Sequence, residues 1–162
     1  MFRRILVVLL LLSMLAAAQQ PTANRRGACR TTEPPNPPFV APAPYPPNAP
    51  EGRFWYGTDA LWTMLSVDAR WSDNLNGKGH VTKLVFWRRG FDWRTEHEPA
   101  LTITGRRLDG DAPPVSSSHA NAVFTTDQPA MMTGIAIPSA GCWELTARYN
   151  GHQLSFVVEL MQ

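Results

Sequence analysis

Residues 142–160 read CWELTARYNGHQLSFVVEL. In the first half, large apolar residues from Trp143 to Tyr149 alternate with polar ones, and a second alternating run begins at Leu154. A period of two is typical of a β-strand with one buried face. Asn150-Gly151 separates the two runs, and both residue types tolerate the positive φ angles of a type I′ turn. The stretch therefore predicts an antiparallel β-hairpin.

The residues just before this hairpin predict a corner in the chain. Pro138 and Gly141 come a few residues before Trp143, at the point where the strand begins. In a tyrosine corner of a β-sandwich, an aromatic side chain bonds back to the backbone a few residues upstream. We expect Trp143 to do the same with its indole N–H, because a buried tryptophan usually finds a partner for that group.

Further strand-like runs precede the hairpin, and turn residues separate them. No amphipathic helix pattern of any length is visible. The pattern predicts an all-β fold, an immunoglobulin-like antiparallel sandwich of about seven or eight strands within residues 51–162. The earlier strand-like runs are residues 54–56, 60–67, 81–87, 101–104, 122–125 and 131–137.

Residues 19–50 predict a proline-rich extended arm before this domain. Nine of the 15 prolines lie within residues 31–50. Because proline fixes φ and lacks an amide donor, this stretch favours a stiff, extended conformation and excludes a helix or a central strand. The arm is either a spacer that crosses the surface of the domain or a ligand for a proline-recognition domain.

The first 18 residues predict a cleaved secretory signal peptide. Arg3 and Arg4 precede an apolar run, and Ala16-Ala17-Ala18 supplies small residues for cleavage before Gln19. The alternatives are an uncleaved anchor or a buried helix, but the run is shorter than the roughly 20 residues that span a bilayer. We therefore expect an exported protein, periplasmic or secreted, with no transmembrane segment left after cleavage.

Removal of the signal peptide changes the net charge. Two of the 15 basic residues lie within it and none of the 13 acidic ones, which leaves 13 of each sign. A nucleic-acid-binding protein should present a clear basic excess. The composition therefore argues against a nucleic-acid partner.

Cys29 and Cys142 are the two cysteines of the chain. In an exported protein a pair of cysteines favours a disulfide, which here joins the arm to the hairpin if both belong to one chain. The alternatives are a bridge between two molecules and a two-cysteine metal site, and no histidine lies at zinc-ligand spacing from either residue.

Three segments resemble a family of uncharacterised exported bacterial β-sandwich proteins. Residues 137–147 (IPSAGCWELTA) match its P-x-x-G-C-W-E-[LV]-T signature, and residues 57–63 and 101–114 are similar to its other shared segments. The likeness covers most of residues 51–162. It implies an exported β-sandwich with a cysteine bridge, and it implies no activity and no functional residues.

The segment from Trp87 to Arg94 is the strongest candidate for a binding surface. Arginine stacked on tryptophan suits a polysaccharide or an anionic polymer. The competing interpretation is that the rings belong to the core and the arginines pair with nearby acids. The tentative surface comprises Trp87, Arg88, Arg89, Trp93 and Arg94.

These features predict a non-catalytic binding or structural module of the bacterial envelope, with a glycan or protein partner and no cofactor. The alternative is an extracytoplasmic enzyme, a hydrolase or a metal-dependent protein. Its site would have to be assembled from loop histidines and carboxylates, because no catalytic or metal-ligand spacing is present. The histidines are His80, His97, His119 and His152.

Overall fold

A computed structural model describes residues 29–71, 80–125 and 128–161, which form ten β-strands and no helix. The predicted signal peptide and the first ten residues of the arm lie outside these ranges. The strands are β1 (Arg53–Thr58), β2 (Leu61–Ser66), β3 (Arg70–Trp71), β4 (His80–Trp87), β5 (Thr102–Arg107), β6 (Val115–Ser117), β7 (Ala120–Thr125), β8 (Gln128–Ile137), β9 (Gly141–Tyr149) and β10 (His152–Leu160).

The strands form two five-stranded sheets that pack face to face. The first has the order β1-β2-β4-β8-β7 and the second the order β3-β10-β9-β5-β6. All neighbours are antiparallel except β3, which runs parallel to β10. Strands β2, β4, β8 and β7 follow the A-B-E-D order of an immunoglobulin domain, and β5, β9 and β10 follow the C-F-G order. The predicted immunoglobulin-like sandwich is therefore confirmed.

The hairpin of β9 and β10 forms as predicted. Tyr149 pairs with His152, and the register continues to Gly141 and Leu160. Asn150 and Gly151 have φ angles of 46° and 78°, as a type I′ turn requires. Because a one-residue slip would turn every side chain to the other face, this turn fixes which residues enter the core.

The main core lies between the sheets, and the hairpin supplies much of it. Trp143 and Leu145 are completely buried, as are most of the alternating residues of β10. The Trp143 Nε1–H donates to the Ser139 carbonyl oxygen at 3.0 Å. The predicted corner is therefore present, and it satisfies the one polar atom of a fully buried side chain.

Ten strands were found where seven or eight were predicted, because β3 and β6 carry no readable pattern. β3 has two residues, too few for any alternation. β6 includes Ser116 and Ser117, which lie outside all of the predicted strand-like runs. It forms because the Ser117 hydroxyl lies 2.7 Å from that of Thr133 in the opposite sheet and because its backbone pairs with β5.

The arm is bonded to the domain at its start. Cys29 and Cys142 form the predicted disulfide, with their Cα atoms 5.4 Å apart and 113 positions apart in sequence. Three residues further on, the Thr32 amide donates to the Val157 carbonyl oxygen at 2.9 Å, and the Val157 amide donates to the Thr32 hydroxyl at 2.8 Å. The bridge and these two bonds fix the arm along β10.

The arm then crosses the outer face of the first sheet, where a second apolar cluster forms. The Tyr45 ring lies edge-on to Trp62 at 5.1 Å, and the Trp55 Nε1–H donates to the Pro46 carbonyl oxygen at 3.1 Å. The outer faces of a solvated sheet are normally polar, so the arm explains why this one is aromatic. We call these buried residues the outer aromatic cluster: Ala41, Tyr45, Trp55, Trp62, Trp87 and Ala130.

Candidate functional site

The five residues of the tentative binding surface are divided between two clusters. Trp87 is 5% exposed and belongs to the outer aromatic cluster, where its ring lies edge-on to Trp55 at 5.1 Å. Trp93 is half-buried and packs against the core between the sheets. The two indoles therefore do not offer one continuous platform. A binding role for this segment stays a prediction.

Arg88 and Arg89 both have partners on neighbouring elements. The Arg88 guanidinium lies over the Tyr149 ring, 5.7 Å from its centre. Arg89 forms an exposed ion pair with Asp59 at 3.3 Å, and its amide donates to the Asp59 carbonyl oxygen. These contacts hold the loop after β4 against the turn between β1 and β2 and against the end of β9.

Trp93 and Arg94 form a small exposed patch with a residue that the sequence did not single out. Phe124 of β7 is 54% exposed, and its ring lies edge-on to Trp93 at 4.7 Å. The Arg94 guanidinium stacks on the Trp93 ring, 4.8 Å from the ring centre. The patch contains the arginine-on-tryptophan stacking that the sequence suggested, and it consists of three side chains.

A larger concave site lies on the outer face of the first sheet, where β2 and β4 separate. The two strands pair only at Trp62 with Trp87 and at Thr63 with Phe86. Beyond that point, β2 turns away toward β3 in the second sheet, and the Thr63 hydroxyl makes a last link to the Val85 carbonyl oxygen at 2.8 Å. The space between the strands is a cleft of about 570 Å³.

We call this space the β2–β4 cleft. One wall is the end of the arm, and the others are strands of both sheets. Its volume lies within the usual range for small-ligand sites. The residues that line it are Tyr45, Pro46, Asn48, Ala49, Pro50, Arg53, Trp55, Thr63, Met64, Ser66, Arg70, Trp71, Thr82, Lys83, Leu84, Val85, Trp87 and Gln128.

The lining of the cleft is aromatic and cationic. Trp71 lines the cleft with a half-buried ring, whereas the rings of Trp55 and Trp87 are almost completely buried. Three exposed cations, Arg53, Arg70 and Lys83, surround it, and none of the described lining residues is acidic. The cleft therefore presents positive charge beside apolar surface.

Arg70 forms an ion pair with Glu159, which does not line the cleft. Its Nε atom lies 3.7 Å from a carboxylate oxygen of Glu159, and both side chains are exposed. An exposed ion pair of this length contributes at most about 1 kcal/mol, because water and salt screen it. Arg70 consequently remains available to a second anion.

Two other polar groupings have structural roles. The Tyr149 hydroxyl donates to Glu96 at 2.5 Å, and burial together with the negative charge of Glu96 raises the pKa of Tyr149 to about 12. Burial alone raises the pKa of Tyr45, whose hydroxyl donates to the Pro129 carbonyl oxygen. Both phenols therefore stay neutral at any physiological pH and act as hydrogen-bond donors.

The second grouping lies where β9 begins. Arg107 donates to Asp109 at 2.7 Å and to Ser139 at 3.2 Å, and the bond from Arg107 holds the pKa of Asp109 below its usual value. Gly141 has a φ of +136°, and a Cβ there would lie 2.8 Å from both side chains. This explains why glycine precedes Cys142.

The histidines occupy separate elements. His80 begins β4 and is buried, His152 begins β10, and His119 lies between β6 and β7. Within residues 29–71, 80–125 and 128–161 there is no group of three or more His, Cys, Asp or Glu side chains that could hold a metal ion. The enzyme alternative stays a prediction.

Across the described residues, no helix is long and apolar enough to cross a membrane. Comparisons with protein-family models, curated proteins and solved structures find no match to the chain. The resemblance of residues 137–147 to an exported bacterial family consequently stays a prediction.

Proposed function

We propose that the protein is an exported, non-catalytic binding module of the bacterial envelope, and that its ligand binds in the β2–β4 cleft. The observation that supports this proposal is the cleft itself, an aromatic and cationic space of about 570 Å³. Concave sites with apolar walls and a few polar groups are the usual form of a ligand site.

Two further features support the location. The first 18 residues have the pattern of a secretory signal peptide. The Cys29–Cys142 disulfide is compatible with an oxidising, extracytoplasmic compartment. Mass spectrometry of the protein from an extracytoplasmic fraction should find a mature N-terminus at Gln19, and a chain that keeps residues 1–18 in the cytoplasm would contradict export.

Binding can be tested with the mature protein and bacterial cell-wall material that retains its associated proteins, in a sedimentation assay. Ser66 lies half-buried on the outer face of β2 and lines the cleft. The Ser66→Trp variant should fill the space and lower retention at least tenfold. Ser116→Trp is the matched control, because Ser116 is exposed on β6 at the far edge of the other sheet.

Equal retention of both variants would contradict a site in the cleft, and no retention of the wild-type protein would contradict the proposed function. Prolonged incubation should leave the mass of the bound material unchanged. Release of fragments would favour the hydrolase alternative instead.

A further inference from the structure

We infer that the β2–β4 cleft is a strand-addition site, which binds an extended acidic peptide segment along the open edge of β4. This inference rests on the proposed function, because it names the class of ligand for the same cleft. In strand addition, backbone hydrogen bonds to a sheet edge provide affinity, and pockets for alternate side chains provide specificity.

The first argument is that four consecutive residues of β4, Thr82–Val85, line the cleft. Side chains of consecutive strand residues point to opposite faces of the sheet. The Leu84 side chain is buried in the core, and Val85 belongs to the outer face. All four can meet one cleft only if the strand presents its backbone edge to it.

The second argument is the interrupted pairing of β2 with β4. If the register of Trp62 with Trp87 continued, Met64 would face Val85 and Ser66 would face Lys83. All four of these residues line the cleft instead. On its other side β4 pairs with β8 from His80 to Phe86, so among the described residues only the β2-facing edge of this segment lacks a strand.

The arm does not supply that strand. Its residues along the cleft include Pro46 and Pro50, and proline has no amide hydrogen to donate to a ladder. The arm therefore forms a wall of the cleft, and within the described residues the β4 edge has no backbone ladder on this side, although the Val85 carbonyl oxygen accepts from the Thr63 hydroxyl. An occupant with free amides would complete the sheet where the arm cannot.

Charge identifies the occupant. Arg53 and Lys83 lie on the outer face beside the open edge, and Arg70 lies at the end of the cleft. An opposite charge directly across a strand pair is favourable, whereas a like charge is unfavourable. Residues of the added strand that point outward should therefore be acidic.

The residues that point inward face different surroundings. Trp71 and Leu84 line that side of the cleft, and both pack with the main core. Apolar side chains should therefore alternate with the acidic ones. The inferred ligand is an extended segment of alternating acidic and apolar residues, which can belong to a partner protein.

The test uses synthetic peptides of about seven residues, the length of an ordinary strand. One set alternates Glu or Asp with Val or Phe, a second replaces the acids with Lys, and a third keeps the acidic sequences but methylates alternate backbone nitrogens. Calorimetry on the mature, disulfide-bonded protein should detect binding of the first set only. Methylation removes backbone donors without changing charge, so it separates strand addition from simple ion pairing.

Protein variants test the geometry. Lys83→Glu and Arg53→Glu should each weaken the acidic peptide about fivefold, and Ser66→Trp should abolish binding. Arg106→Glu is the matched control: Arg106 is exposed on β5 in the other sheet, and its loss should leave the affinity unchanged. Amide hydrogen exchange among Thr82–Val85 should slow on binding.

The outcomes separate this inference from the proposed function. If the methylated peptides bind as well as the unmodified ones, or if no peptide binds while Ser66→Trp still prevents retention on cell-wall material, strand addition is wrong and the cleft binds another class of ligand, such as an acidic glycan. If neither peptides nor cell-wall material bind, both proposals are wrong.

Discussion

Gly57, near the end of β1, has a φ of +134°, and a Cβ atom there would lie 2.4 Å from the Leu61 carbonyl oxygen and 2.7 Å from the Trp62 Cα. Both contacts are with the backbone of the partner strand, which cannot move without opening the first hairpin. β1 also supplies Trp55 to the outer aromatic cluster. One missing side chain thus decides how closely β1 and β2 approach.

Gly57→Ala should therefore lower the free energy of unfolding by at least about 2 kcal/mol, measured by chemical denaturation. Two controls separate the causes. Gly134→Ala, with its nearest neighbour 3.9 Å away, should change stability by less than about 0.5 kcal/mol. Gly52 has a φ of +73°, and a Cβ atom there would meet no atom within 4 Å, so Gly52→Ala measures the effect of backbone strain alone. If Gly57→Ala cost no more than Gly52→Ala, the close approach would be irrelevant.

Tyr149 makes stability depend on alkaline pH. Its pKa is raised to about 12 in the folded protein, from 10.0 in the unfolded chain, so folding favours the neutral phenol. The resulting stabilisation is fully present below pH 10 and is lost as the pH rises through 12. Below pH 10 the hydroxyl also donates to Glu96.

The measurement compares wild type with Tyr149→Phe across this range. Below pH 10 the wild type should have the larger free energy of unfolding, and the difference should shrink between pH 10 and 12. Because the other titrating groups are common to both proteins, the comparison isolates this phenol. A difference that stayed constant with pH would show that the hydroxyl is not held in its neutral form.

At the scale of single elements, local signals predicted structure wherever one strand face met the core and the other met water. The alternation around Trp143 and the Asn150-Gly151 turn gave the β9–β10 hairpin with its register. Alternation could not show which face of β1 points toward the main core. Phe54 faces the main core and Trp55 the outer aromatic cluster, so both faces are apolar and the period disappears.

The candidate site was less predictable than the fold. Arg53, Arg70 and Lys83 are isolated cations in the sequence, and only the sheet order brings them to one cleft. The sequence placed Trp87 in a tentative binding surface, but its burial depends on an arm whose path no local pattern specifies. β3, two residues long, determines where β2 leaves β4, and it was too short to be seen.

At the scale of the whole molecule, the disulfide closes a loop of 113 residues that contains most of the sandwich. Replacing both cysteines, in a Cys29→Ser/Cys142→Ser double variant, should lower the free energy of unfolding by about 2–4 kcal/mol, because the unfolded chain regains the freedom that the bridge removes. Guanidinium unfolding followed by tryptophan fluorescence measures this loss.

Reductant supplies the control. It should lower the midpoint of the wild type toward that of the double variant and leave the variant itself unchanged. If the two proteins unfolded at the same midpoint without reductant, the arm would be held by its hydrogen bonds and by the outer aromatic cluster alone.

The same bridge determines how the protein bears mechanical load. A pull applied between the residues before Cys29 and those after Leu160 passes through the sulfur atoms directly into the start of β9. Strands β1 to β8 lie outside the force path and cannot be drawn out while the bridge is intact. Only the segment from Cys142 to Leu160 can lengthen, by roughly 55–60 Å at full extension. A protein tethered in this way stretches as a short hairpin, and the cleft between β2 and β4 carries none of the tension.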